Sequence, residues 1–124
     1  MTDFGRYAAA LRESLEEQEE EDKEEGGKAL EAARRCAGIL AEKFGARRVY
    51  LFGSLAEGLY RKGSDVDLAV EGMDIRAYLK ALAEFPVIDS VRIDLVHMDC
   101  CKMPLKERIL QEGKVLYDSS GEGS

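Results

Sequence analysis

Two stretches of the chain alternate strictly between apolar and polar positions. In one, Val66, Leu68 and Val70 oppose Asp65, Asp67, Ala69 and Glu71; in the other, Val91, Ile93, Leu95 and His97 oppose Arg92, Asp94 and Val96. A period of two is that of a strand with one face in a core. The apolar run Arg47–Ser54 reads as a further, more fully buried strand, and Lys114–Asp118 as a short final one. Helical spacing governs most of the rest. Phe4, Tyr7, Ala8, Leu11 and Leu15 recur on one side of a helix over residues 3–15, and Leu30, Ala33, Ala37, Leu40, Ala41 and Phe44 on one side of a second, stopped by Gly45. The pattern predicts a third helix from Asp74 to Phe85, ended before Pro86, and a fourth from Pro104 to Gly113. Interleaved strands and helices predict an α/β (α+β) domain: a small mixed sheet with flanking helices.

Composition changes this picture at one place. The chain has 124 residues and a formal net charge of −7, and residues 13–25 alone carry a net −8. The remainder is therefore nearly neutral. Like charges at that density belong in solvent, so residues 1–27 are expected to form an amphipathic helix and an acidic arm, broken by Gly26-Gly27. Residues 28–118 form the domain proper, and residues 119–124 a polar, disordered tail. The short apolar stripe is too short to stand as a free helix and is expected to dock on the domain or on a second copy as a homo-oligomer. A neutral domain with an acidic arm is a poor nucleic-acid binder, since such binding rests on many Lys and Arg contacts to phosphate. No apolar run approaches the roughly 20 residues of a membrane span, and no signal-peptide core is visible. The cytoplasm is the expected location. Cys36, Cys100 and Cys101 have no CxxC spacing and, with the single His97, make no zinc set. His97 falls on the apolar side of its strand and is read as structural.

The candidate chemistry lies between Gly53 and Asp94. Residues i and i+2 of a strand share a face roughly 6–7 Å apart, which sets Asp65 and Asp67 side by side. Asp94 faces away from the apolar side of a matching strand. If the two strands are neighbours over one core, the three acids gather on one patch and repel unless a cation neutralises them. Oxygen ligands without His or Cys suit a hard ion such as Mg²⁺ bound with substrate phosphates. Upstream, Gly53 permits close backbone approach, and Ser54, opening a short helix or turn, offers N–H groups and a hydroxyl to an anion. Arg61, Lys62 and Ser64 lie in the loop between and are further candidate phosphate contacts. A metal patch facing a phosphate cradle suits phosphoryl or nucleotidyl transfer.

Rival readings fit less well. Gly58-x4-Gly63-Ser64 lacks the Lys of a P-loop. Asp65-x-Asp67 has Val70 and Arg76 where a calcium loop needs its turn Gly and bidentate Glu. Two neighbours on one strand cannot flank a glycosidic bond, and Ser54 lacks a base that would make it a nucleophile.

The stretch "GSLAEGLYRKGSDVDLAV" resembles the GSx10DxD signature of the DNA polymerase beta-like nucleotidyltransferase superfamily. The short length and "IDLVHMDCCKMPLKERILQEGKVLYD" resemble its minimal nucleotidyltransferases, over about Lys28 to Asp118. The resemblance implies ATP or another nucleoside triphosphate, two Mg²⁺ ions, and transfer of a nucleoside monophosphate with release of pyrophosphate. It places Gly53 and Ser54 on the triphosphate, Asp65 and Asp67 on both metals, and Asp94 as base or metal ligand. Members of this size are often paired with a HEPN-domain toxin, acting as antitoxin by adding AMP to a tyrosine of the toxin or by binding it. Transfer to a small, aminoglycoside-like molecule is a further alternative. The chain departs from the pattern at Glu57, where relatives often carry Arg.

Overall fold

The computed structural model describes residues 2–84 and 87–119, with side chains from Glu20 onward. Its elements run α1 (Thr2–Phe44), β1 (Arg48–Phe52), β2 (Val66–Glu71), α2 (Ile75–Glu84), β3 (Val87–Ile88), β4 (Val91–His97), α3 (Met103–Glu112) and β5 (Lys114–Asp118). The strands form one mixed sheet in the order β3-β4-β2-β1-β5. β1 pairs antiparallel with β2 and β5, β2 runs parallel to β4, and β3 pairs antiparallel with β4.

The two faces of the sheet have different covers. Val49, Leu51, Val66, Leu68, Val70, Ile93 and Leu95 point to the face packed by α1 and α2. The part of α1 that covers it presents Ala29, Ala32, Ala33, Cys36, Ala37 and Leu40, all almost wholly buried. Ala33, Ala37 and Leu40 of the stripe read from periodicity are among them, and Leu30 and Phe44 pack at its margins. Its small residues let the helix lie close on the sheet. The opposite face carries a smaller core, in which Tyr50, Ala69, Met98 and Ile109 are buried with Phe52, Val96 and Leu105 beside them. α3 is the cover there. Gly113 ends α3 with no room for a side chain, because a Cβ would collide with the Ile109 carbonyl.

The expected break at Gly26-Gly27 is absent. α1 is continuous from Thr2 to Phe44. Two helical glycines cost about 2 kcal/mol relative to alanine, and contacts on both sides of the pair offset it. C-terminal to it lies the alanine stripe. N-terminal to it, Asp22 accepts a hydrogen bond from the Lys62 backbone N–H at 3.2 Å, and Glu21 lies 3.9 Å from the Lys62 ammonium. A Cβ at either glycine meets nothing within 4 Å. Gly26→Ala and Gly27→Ala are therefore expected to stabilise the protein by about 0.5–1 kcal/mol each in chemical denaturation. No gain in either variant would mean that the helix breaks there in solution. The stripe Phe4, Tyr7, Leu11 and Leu15 concerns side chains outside the described residues, as does the expected tail beyond Ser119.

β3 was not legible in the sequence pattern. It is two residues long and turns into β4 through Asp89 and Ser90, both at positive φ (51° and 69°). Two such residues make the tight turn that matches the twist of a hairpin, a role Asp tolerates better than most residues. Arg35 of α1 holds the turn through Asp89 at 3.0 Å. His97 is buried, as its side of the strand requires. Its Nε2–H donates to the Met73 carbonyl at 2.7 Å, and its ring meets Tyr78 edge-on with centroids 5.0 Å apart.

Candidate active site

Register builds the site. Phe52 of β1 stands opposite Asp67 of β2, and Asp67 opposite Asp94 of the parallel strand β4. Paired residues of neighbouring strands point to the same face, here the one that α3 partly covers. Asp67 and Asp94 therefore lie side by side at its uncovered end. They line a cavity of about 320 Å³ together with Phe52, Gly53, Ala56, Glu57, Val96, Leu105, Arg108 and Glu112. Burial, then the charge of Asp94, then that of Asp65 push the Asp67 carboxyl above its ordinary pKa. Both causes penalise the anion, so the site favours a proton or a cation at Asp67.

Gly53 follows β1 directly at φ +77°, and a Cβ there would collide with the Asp67 carboxylate. The position thus needs glycine twice, for its backbone and for its space. Ser54 opens a compact set of turns, not a helix: Glu57 N–H donates to Gly53 O at 3.1 Å and Leu59 N–H to Ser54 O at 2.8 Å. The turns bring Ala56 and Glu57 to the cavity wall.

The other expected residues lie further away. Asp65 precedes β2 and forms a 2.9 Å ion pair with Arg92 Nε, while Arg92 Nη2 donates to the Gly63 carbonyl at 3.0 Å. Lys62 is engaged by Glu21 and Asp22 of α1. Arg61 lines a separate hollow of about 620 Å³ between α1 and the turns, with Asp22, Leu55 and Tyr60 among its walls. Ser64 supplies its carbonyl to the Tyr60 hydroxyl at 2.9 Å. Ser54, Arg61, Lys62, Ser64 and Asp65 do not line the cavity that holds Asp67 and Asp94.

α3 contributes residues that carried no motif. Leu105, Arg108 and Glu112 line the cavity, the two charged side chains more than half exposed. Arg108 Nη2 lies 3.8 Å from Glu57, and its Nε donates to Glu112 at 3.1 Å. Glu57 thus faces an arginine from another element. No signal in the sequence marked Arg108 and Glu112: both are charged, exposed side chains on a helix anchored by Leu105 and Ile109.

A donor set made only of carboxylate oxygens, held together against its own repulsion, suits a hard cation. Among the described residues, no three His, Cys, Asp or Glu side chains form a ready-made metal group. Asp67 and Asp94 fit such an ion as a pair, with Asp65 turned to Arg92.

Comparison with known proteins agrees with this geometry. A model of the family described as polymerase beta, nucleotidyltransferase, matches residues 34–122, which include the whole cavity. The chain belongs to this nucleotidyltransferase family. It is 32% identical, over 76 residues, to a protein adenylyltransferase MntA of Thermococcus cleftensis, covering 59% of this chain and 77% of that protein. Among solved structures, one of a minimal nucleotidyltransferase superposes with a TM-score of 0.57 at 31% identity, covering 70% of this chain and 92% of the other. A toxin–antitoxin crystallised with AMP-PNP superposes with a TM-score of 0.60 over 72% of this chain and 76% of that one. At 22% identity the latter shares the fold. The nucleotidyltransferase's five-stranded sheet and its helical covers are thus those of its structural neighbours, and among the described residues no helix is long and apolar enough to cross a membrane.

Proposed function

We propose that this nucleotidyltransferase moves AMP from ATP to a hydroxyl of a partner protein, a HEPN-domain toxin, with Mg²⁺ bound at Asp65, Asp67 and Asp94. The observation that carries the reading is the register of β2 and β4, which sets Asp67 against Asp94 beside Gly53, whose missing Cβ gives the Asp67 carboxylate its place. The likeness to a protein adenylyltransferase supports a protein acceptor, as does a small domain with an open cavity. Free thiols at Cys36, Cys100 and Cys101 and the use of ATP suit the cytoplasm.

When bound, Mg²⁺ neutralises the phosphate oxygens and polarises the phosphorus. The chain's own residues do the rest. Gly53 leaves the Asp67 carboxylate the space that a Cβ would take, and the Ser54 hydroxyl beside it would donate to the phosphates. Asp67 and Asp94 would hold the cation, and Asp65 would join them by exchanging its contact with Arg92. The acceptor hydroxyl attacks the α-phosphorus as the bond to the bridging oxygen breaks, and pyrophosphate leaves. The proton of the hydroxyl passes to a carboxylate oxygen of Asp94, the more exposed of the paired acids.

The test mixes the purified chain with the product of the neighbouring reading frame, ATP and Mg²⁺. Intact-mass analysis should show one or more adenylyl groups on a tyrosine of the partner, with stoichiometric pyrophosphate. A tight complex of unchanged mass would favour an antitoxin that acts by binding alone. Modification of a small hydroxylated molecule, with no complex, would overturn both.

A further inference from the structure

We propose that Arg108 binds the outer phosphates of the nucleotide, and that Glu57 holds it in place when no nucleotide is present. The inference rests on the nucleotidyl-transfer reading and names a further residue of that site. Four carboxylates line the cavity: Glu57, Asp67, Asp94 and Glu112. Among the described residues, Arg108 is the one cationic side chain that lines it. A triphosphate entering there meets repulsion from every other charge on the wall.

Position favours the same assignment. Glu57 belongs to the turns that follow Gly53 and Ser54, and Arg108 reaches it from α3 across the cavity. The guanidinium therefore stands beside the Gly-Ser turn. Its hold on Glu57 is weak. The contact is 3.8 Å long, and the side chains are 63% and 39% exposed. Ion pairs of that kind contribute little, whereas a guanidinium and a phosphate can form two parallel N–H···O bonds. Exchange of Glu57 for a phosphate is thus favourable. Glu112, one turn along α3, keeps its contact with Arg108 Nε at 3.1 Å and steadies the side chain through the exchange. The basic residues that the sequence offered for this role are committed elsewhere: Lys62 lies on Glu21 and Asp22, and Arg61 lines the other hollow.

The test titrates ATP with Mg²⁺ into the wild type, Arg108→Gln, Arg108→Lys, Glu57→Gln and the double variant Glu57→Gln/Arg108→Gln, by calorimetry, with ligand-free melts of each. Arg108→Gln should weaken ATP binding about tenfold or more, the loss of a charge-assisted hydrogen bond. KM for ATP should rise more than kcat falls, and Arg108→Lys should recover part of the affinity. Glu57→Gln should tighten ATP binding several-fold, through a freed Arg108 and one repelling charge fewer, and the gain should be clearly smaller in the double variant, where only the second effect remains. Wild-type affinity in a folded Arg108→Gln, or a Glu57→Gln gain that is undiminished without Arg108, would overturn the proposal and leave the nucleotidyl-transfer reading standing. A folded wild type that binds no ATP would overturn both. If Arg108→Gln fails to fold, unchanged ATP affinity in Glu57→Gln overturns the exchange, and tighter binding supports it.

Discussion

Asp67→Asn is expected to lower nucleotide transfer by about a thousandfold or more, several kcal/mol of transition-state stabilisation, while leaving the fold as stable as before or more so. The two effects separate because Asp67 is held against its own preference. Burial, Asp94 and Asp65 all raise its pKa above the ordinary 3.8. A group whose pKa is raised on folding adds stability at low pH that is lost as the pH rises through the folded value. Asparagine cannot ionise and does not suffer that loss. In chelator-treated buffer, the melting advantage of the variant should therefore grow as the pH climbs above about 3.8 and then level off. Mg²⁺ should stabilise the wild type and not the variant. Wild-type turnover in Asp67→Asn, or a variant less stable than wild type at neutral pH, would rule out this role for Asp67.

Gly53→Ala should remove activity by the opposite route, at a cost in stability. At φ +77° an L-residue loses about 1–2 kcal/mol from the backbone alone. The added Cβ also collides with Asp67 Oδ2 and comes within 3.1 Å of its Cγ. Asp67 can yield only by turning away from Asp94 and the cavity. The melting temperature should fall by several degrees, and transfer should drop with it. Because the clash has a named partner, truncating that partner tests it. Gly53→Ala should cost less stability in an Asp67→Ala background than in the wild type, with activity absent in both. Equal costs in the two backgrounds, measured by chemical denaturation, would show that backbone strain alone makes Gly53 necessary.

Part of the site was legible before the fold was known, because strand periodicity assigns residues to faces. Asp67 and Asp94 each oppose a run of Val, Leu and Ile, and Gly53-Ser54 ends a buried run, so their side of the sheet followed from burial alone. The expectation that Ala69 shares the face of Asp67 also holds, although α3 buries it there. Less legible was the loop Arg61–Ser64. Its charges suggested phosphate, but an exposed basic loop goes to whichever acids lie nearest, and those are on α1. The chain order gives no hint of that proximity. Local rules also failed at Gly26-Gly27, where a weak intrinsic preference against helix gave way to packing on either side.

By itself, the sequence determined most of the strands and helices, which faces would be apolar, and which oxygen ligands and glycine turn were available for chemistry. These depend on spacing between near neighbours, and the backbone's two periodicities convert spacing into direction. Tertiary structure decided what meets what. β4 lies parallel to β2 with Asp94 opposite Asp67, α3 delivers Arg108 and Glu112 to the cavity, and Arg92 takes Asp65. Each of these joins segments far apart in the chain, and their register is set by how whole faces pack, which no local pattern records.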